Sequence, residues 1–246
     1  MMYLYAITDR PETPVPAGPG LNGASILNLA YRDIAAVASP LTTAEVPPTE
    51  ANLWRHEAVV ETLMVDHTVL PVRFGTVLPN ESAVRAVLAA HYADFVASLE
   101  RVRGQVELGL RVLWDDDDGR LMEKRTGQRT ADSGRAYLLA RLKEERWARL
   151  WRQRAEAVAE QIHTPLARLA ADSTRQLLVT PRLLLTATYL VEQDRVAGFR
   201  RELEALRGAH RTLRFLCTGP WPPYSFVTDC VLKTSADLKE DADAGS

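Results

Sequence analysis

From residue 106 to residue 114 the chain places Val106, Leu108, Leu110, Val112 and Trp114 at every second position, with Glu107, Gly109 and Arg111 between them. A period of two marks a β-strand with one buried face, because successive side chains point to opposite sides of a sheet. Such a strand cannot stand alone. Its backbone groups need partner strands, and its apolar face needs a helix or a second layer over it.

Upstream of that strand the pattern alternates between strand and helix. Tyr3 to Ile7 is apolar on both faces, as a central strand should be, and Ile26–Leu29 and Ile34–Ala38 read as short strands. Between them, Asp9 to Gly23 is rich in proline and glycine and reads as a loop. Pro47-Pro48 ends the extended section and Thr49 is placed to cap a helix. That helix carries Leu53, Val60, Leu63, Met64 and His67 at helical spacing, and the extended run Val69 to Val77 follows it. A second helix, capped by Asn80 or Ser82, has the stripe Val84, Leu88, His91, Phe95, Leu99 and Val102, with Gly104 as its stop.

The second half opens with a long helix whose stripe is Ala136, Ala140, Trp147, Trp151, Ala155, Val158 and Ile162. Leu177–Val179 and Leu183–Val191 read as strands around Thr180-Pro181. Arg195 to Arg207 reads as a helix with Phe199, Leu203 and Leu206 inward, and Leu213, Phe215 and Cys217 as a last strand. The fold class expected is therefore α+β in two domains. A ferredoxin-like layer covers residues 1–115 and a linker rich in aspartate 116–134. A second α+β layer with the long helix covers 135–227, and a partly disordered acidic tail covers 228–246.

Composition narrows the function classes. Formal net charge is −2, without the basic surplus that nucleic-acid binding usually shows. The 30 basic residues are 26 Arg and 4 Lys, a bias that fits a GC-rich coding sequence as well as it fits contacts to carboxylates. Two cysteines, Cys217 and Cys230, are too few for a disulfide framework. The opening residues lack a basic leader, and the apolar stretches fall far short of the roughly 20 residues a membrane helix needs. The expectation is a cytoplasmic chain with no membrane segment.

Motifs that suggest catalysis fail on their surroundings. Gly18-Pro19-Gly20-Leu21-Asn22-Gly23 has the spacing of a dinucleotide loop, but a proline-rich stretch separates it from the first strand and a strand follows it. His56-Glu57 opens like a zinc-protease helix, yet the second histidine position is Val60. Asp115–Asp118 lacks the glycine and glutamate of a calcium loop. Cys217 sits in an alternating apolar strand and reads as packing. Arg141, Lys143, Arg146, Arg149, Arg152 and Arg154 are interrupted by Glu144 and Glu145, which reads as a solvated helix face. No catalytic residue, metal ligand or cofactor site is expected.

Two segments resist a structural reading. In Val69-Leu70-Pro71-Val72-Arg73-Phe74-Gly75-Thr76-Val77 an arginine interrupts an apolar run. In Gly219-Pro220-Trp221-Pro222-Pro223-Tyr224-Ser225-Phe226-Val227, prolines and aromatics make a stiff segment with little entropy to lose. Either segment packs as a fixed corner or presents anchors to a partner. Together they resemble the two signature stretches of the gas vesicle protein F/L family (GvpF/GvpL). The opening Tyr3-Leu4-Tyr5-Ala6-Ile7 resembles that family's first strand, His56-Glu57-Ala58-Val59-Val60-Glu61 its first helix, and Glu107–Trp114 its glutamate-led strand. Tyr189-Leu190-Val191 ahead of Phe199 fits as well, so the likeness runs from residue 2 to residue 227.

The resemblance implies two α+β domains and a part in building gas vesicles, the hollow protein shells that provide buoyancy. It implies binding to the small hydrophobic shell protein, other accessory proteins as further partners, and no enzymatic activity. Arg73, Phe74, Trp221, Pro222, Pro223, Tyr224 and Phe226 are the candidate partner-binding residues, with Trp221 and Tyr224 as anchors and Arg73 as a polar clamp. The alternative for the same residues is to lock a domain interface. Two other functional readings stay open. One is a purely structural minor component of the gas-facing wall. The other is a small-molecule enzyme on the first layer, which a deep pocket with paired polar residues would support.

Overall fold

Every residue of β1 (Met2–Thr8) is buried, which a strand apolar up to its final Thr8 achieves only at the centre of a sheet covered on both faces. The computed structural model describes residues 1–11, 18–115, 134–178, 180 and 182–227, with the backbone alone for 134–140. Two units result: Met1–Val106 together with the chain from Trp221 onward, and Glu107–Pro220.

In the first unit β1 pairs antiparallel with β3 (Ile34–Pro40), β4 (Val69–Pro71) and β5 (Val77–Leu78), and β2 (Leu27–Tyr31) flanks β3. The helix α1 (Glu50–Leu63) starts where expected. Thr49 Oγ1 accepts a hydrogen bond from the Asn52 N–H at 3.3 Å, and the helix buries His56, Val59, Val60 and Leu63. The single second helix expected from the sequence is two, α2 (Glu81–Ala90) and α3 (Tyr92–Val102). His91, at φ −115° and ψ 21°, leaves the helical region between them. The apolar stripe survives the break, with Val84, Leu88, Phe95, Leu99 and Val102 all buried. Gly104 follows at φ +66°, a conformation glycine adopts without strain.

The second unit contains β6 (Gln105–Trp114) from Glu107 on, α4 (Gly134–Ala167), β7 (Asp172–Leu177), β8 (Leu183–Glu192), α5 (Val196–Ala209) and β9 (Leu213–Trp221) as far as Pro220. Its sheet runs β7-β8-β6-β9. This corrects the domain boundary read from the sequence, which ended the first layer at residue 115. Period-two alternation identifies a strand but does not name its sheet, and β6 pairs with β8 and β9. Adding β6 turns helix-strand-strand-helix-strand into βαββαβ, in strand order 2-3-1-4. The ferredoxin-like connectivity expected of residues 1–115 is thus the pattern of the second unit. The other boundary moves too. Trp221–Phe226, expected in the second layer, belong to the first unit.

The core of the second unit joins Leu108, Leu110, Val112 and Trp114 to Trp151, Ala155, Ile162 and Leu166 of α4 and to Phe199 and Leu203 of α5. Trp114 and Trp151 pack with ring centroids 4.9 Å apart, and Trp147 stacks on Trp151 at 5.7 Å. Cys217 packs against this core, as expected. The strand read as Leu177–Val179 lies earlier, at Asp172–Leu177. It is a polar edge strand, held to α4 by Arg175 on Glu156 (2.9 Å) and Glu160 (2.8 Å). The expected linker, apart from Gly134, and the expected tail lie outside the described residues. So do Val179, Pro181, Cys230 and the side chains of Ala136 and Ala140.

Candidate functional site

Two tyrosines at the centre of the first sheet set the geometry of its surface. Tyr3 and Tyr5 are fully buried, so each hydroxyl must find a partner inside the protein. Tyr3 Oη lies 2.8 Å from His56 Nδ1 and accepts from the Gly75 N–H at 3.3 Å. Tyr5 Oη lies 2.9 Å from Ser39 Oγ and accepts from the Leu21 N–H at 2.7 Å. His56 stacks on Tyr5 and meets Tyr3 and Phe74 edge-on, with centroids 5.7, 5.7 and 5.8 Å away. Burial in this aromatic box lowers the His56 pKa from 6.5 to about 4, opposed in part by a bond to the Val72 backbone. The imidazole is therefore neutral at pH 7 and pins α1 to the sheet.

With His56 fixed inward, the adjacent positions on α1 face outward. Leu53, Trp54 and Glu57 line an open groove of about 620 Å³ together with Phe74 and Tyr224. Pro48 and Glu50 complete the lining, and His56 contributes to it. The Tyr224 hydroxyl donates to Glu57 Oε2 at 3.1 Å across 167 residues of sequence. Burial, and then the charge of Glu57, push the Tyr224 hydroxyl well above the usual phenol range. Burial also raises the Glu57 carboxyl, with Glu61 adding to the effect and the Tyr224 hydrogen bond opposing it. Leu53 and Trp54 are 45% and 67% exposed. Large apolar side chains left in water beside a concave aromatic surface are the combination in which binding sites are commonly found.

The groove unites part of what the sequence singled out. Phe74 and Tyr224, one from each unusual segment, line it. Pro222, Pro223 and Phe226 are buried on either side of Tyr224, whose N–H donates to the Pro222 carbonyl at 2.8 Å. Arg73 is exposed on the turn after β4, and Trp221 is 39% exposed, but neither is among the lining residues. Sequence reasoning missed Leu53, Trp54 and Glu57. Helical spacing groups Leu53 with the inward Val60 and Leu63, whereas it is exposed, and the signal the sequence offers is Leu53-Trp54 standing next to His56-Glu57.

The motifs set aside as chemistry have physical roles. Gly20 of the glycine-rich stretch packs so closely on β1 that a Cβ there would stand 2.5 Å from Tyr5 Oη. Among the described residues, no group of three or more His, Cys, Asp or Glu could hold a metal ion. Among the same residues, no helix is long and apolar enough to cross a membrane.

Comparison with known proteins places this architecture. The chain matches the family described as "Gas vesicle synthesis protein GvpL/GvpF" over residues 1–228. It is 33% identical over 249 residues to gas vesicle protein L of a Streptomyces species, covering 92% of each chain. It is 28% identical over 230 residues to gas vesicle protein F2 of Halobacterium salinarum, covering 92% of this chain and 91% of the relative. The crystal structure of the gas vesicle protein GvpF from Anabaena superposes with a TM-score of 0.76, covering 94% of this chain and 98% of that one at 20% identity. At that identity the likeness speaks for the fold alone.

Proposed function

The chain belongs to the gas vesicle GvpL/GvpF family, and from that premise we propose that it is an assembly accessory protein whose α1 groove holds the small hydrophobic shell protein. Membership makes it a gas vesicle protein; the partner and the surface are our reading. The observation that carries it is the exposure of Leu53 and Trp54 beside Phe74 and Tyr224. A shell subunit rich in apolar surface is prone to aggregate until it meets its neighbours. A rigid aromatic groove can cover part of that surface until then, because Trp and Tyr bury much area at little entropic cost. Pinning by His56 and the Glu57–Tyr224 bond keeps the groove formed before binding. A co-expression pull-down with the small shell protein tests the reading, run with Trp54→Ala beside the unmodified chain. Retention by the unmodified chain and at least about tenfold less by Trp54→Ala is the result expected for an interface anchor. Equal retention by both, or none by either, would remove the groove from the account.

A further inference from the structure

The groove is apolar in most of its lining but one-sided in charge. Among the described residues its lining contains two carboxylates, Glu50 and Glu57, and no lysine or arginine. Glu57 is the inner one: it is half-buried and accepts a hydrogen bond from Tyr224. Among the described residues it forms no ion pair, and Glu61, one turn along α1, adds like charge. An ionised carboxylate offers about four lone-pair sites, so most of its accepting capacity remains open. His56, which also lines the groove, is neutral at pH 7 and supplies no compensating charge. Trp54, Phe74 and Tyr224 line the groove together with this carboxylate, and aromatic faces attract cations.

We propose that the groove is a receptor for a basic side chain, arginine or lysine, presented by its partner segment. The cationic head meets Glu57, and the aliphatic stem lies along Leu53, Trp54 and Phe74. Such side chains are built this way, with an apolar stem and a charged tip, and the groove repeats that order from its exposed apolar rim to its carboxylate. An arginine also stacks its plane on an aromatic ring while it pairs with the carboxylate. The inference takes from the preceding section only that the partner is a protein segment. It adds the chemistry of the residue that anchors it.

The test is independent of the partner's identity. The full chain is titrated with n-butylguanidinium and with its neutral isostere n-butylurea. The readout is the Trp54 indole N–H resonance, assigned by its loss in Trp54→Phe. The expected result is a saturable shift with the guanidinium, an affinity for the urea at least about fivefold weaker, and loss of that difference in Glu57→Gln. Glutamine can still accept from Tyr224, and an otherwise unchanged spectrum verifies that the variant is folded. Equal affinity for the two probes, no saturable shift with the guanidinium, or a preference that survives Glu57→Gln would each overturn the proposal. Failure to retain the shell protein in the pull-down would instead count against the function, whatever the probes show.

Discussion

A Cβ on Gly20 would meet Tyr5 Oη at 2.5 Å and the Ala24 carbonyl at 3.1 Å, whereas one on Gly18 would meet nothing within 4 Å. Tyr5 cannot retreat, because Ser39 and Leu21 hold its hydroxyl. Gly20→Ala should therefore destabilise the first unit by about 1–3 kcal/mol, as overpacking does, and Gly18→Ala should change it by less than about 0.5 kcal/mol; urea melts distinguish them. His56 gives a second prediction, in pH. Its folded pKa of about 4 lies below the ordinary 6.5, so the unfolded chain binds a proton that the folded chain refuses. The stability this represents is fully present above pH 6.5 and is lost as pH falls from 6.5 toward 4, amounting to roughly 3 kcal/mol. Burial lowers His67 and His163 in the same direction. The His56 share is therefore the part of the slope between pH 7 and pH 4.5 that disappears in His56→Gln.

At the scale of elements, exposure separates packing from recognition. Phe226 is 4% exposed and Trp54 is 67% exposed. Phe226→Ala should cost the first unit about 3–5 kcal/mol, and Trp54→Ala less than about 0.5 kcal/mol, by thermal melting. A large loss with Trp54→Ala would make it a packing residue and remove the motive for the groove. The elements also show how far sequence reaches. β1, the Thr49 cap that starts α1, and α5 with Phe199, Leu203 and Leu206 inward are legible, because local pattern and final structure agree there, whereas the α1 stripe holds at Val60 and Leu63 and fails at Leu53. β7 is not, since Asp172-Ser173-Thr174-Arg175-Gln176 lies at a sheet edge and needs no apolar face. The site is half legible. Phe74 and Tyr224 are conspicuous in their own segments, but Glu57 gains its meaning only when the fold brings residue 224 to it.

At the scale of the whole molecule, the chain leaves the first unit after Val106 and returns at Trp221. A fragment of residues 107–220 should therefore fold alone with dispersed amide resonances. A fragment of residues 1–115 lacks Pro222, Pro223, Tyr224 and Phe226 and carries β6 without its sheet, so it should be poorly dispersed or aggregate. Sequence pattern does not reveal this return, because the Trp-Pro-Pro-Tyr segment continues directly from β9. The central claim is that the first unit, through α1, meets the shell protein. Site-specific photocrosslinking tests it most directly, with a photoreactive residue at Leu53, or at Leu150 or Leu216 of the second unit, all exposed. In cells forming gas vesicles, the account predicts a crosslink to the small shell protein from position 53 and none from positions 150 and 216. Crosslinks from the second unit alone, or none from position 53 in chains that still support vesicle formation, would contradict it.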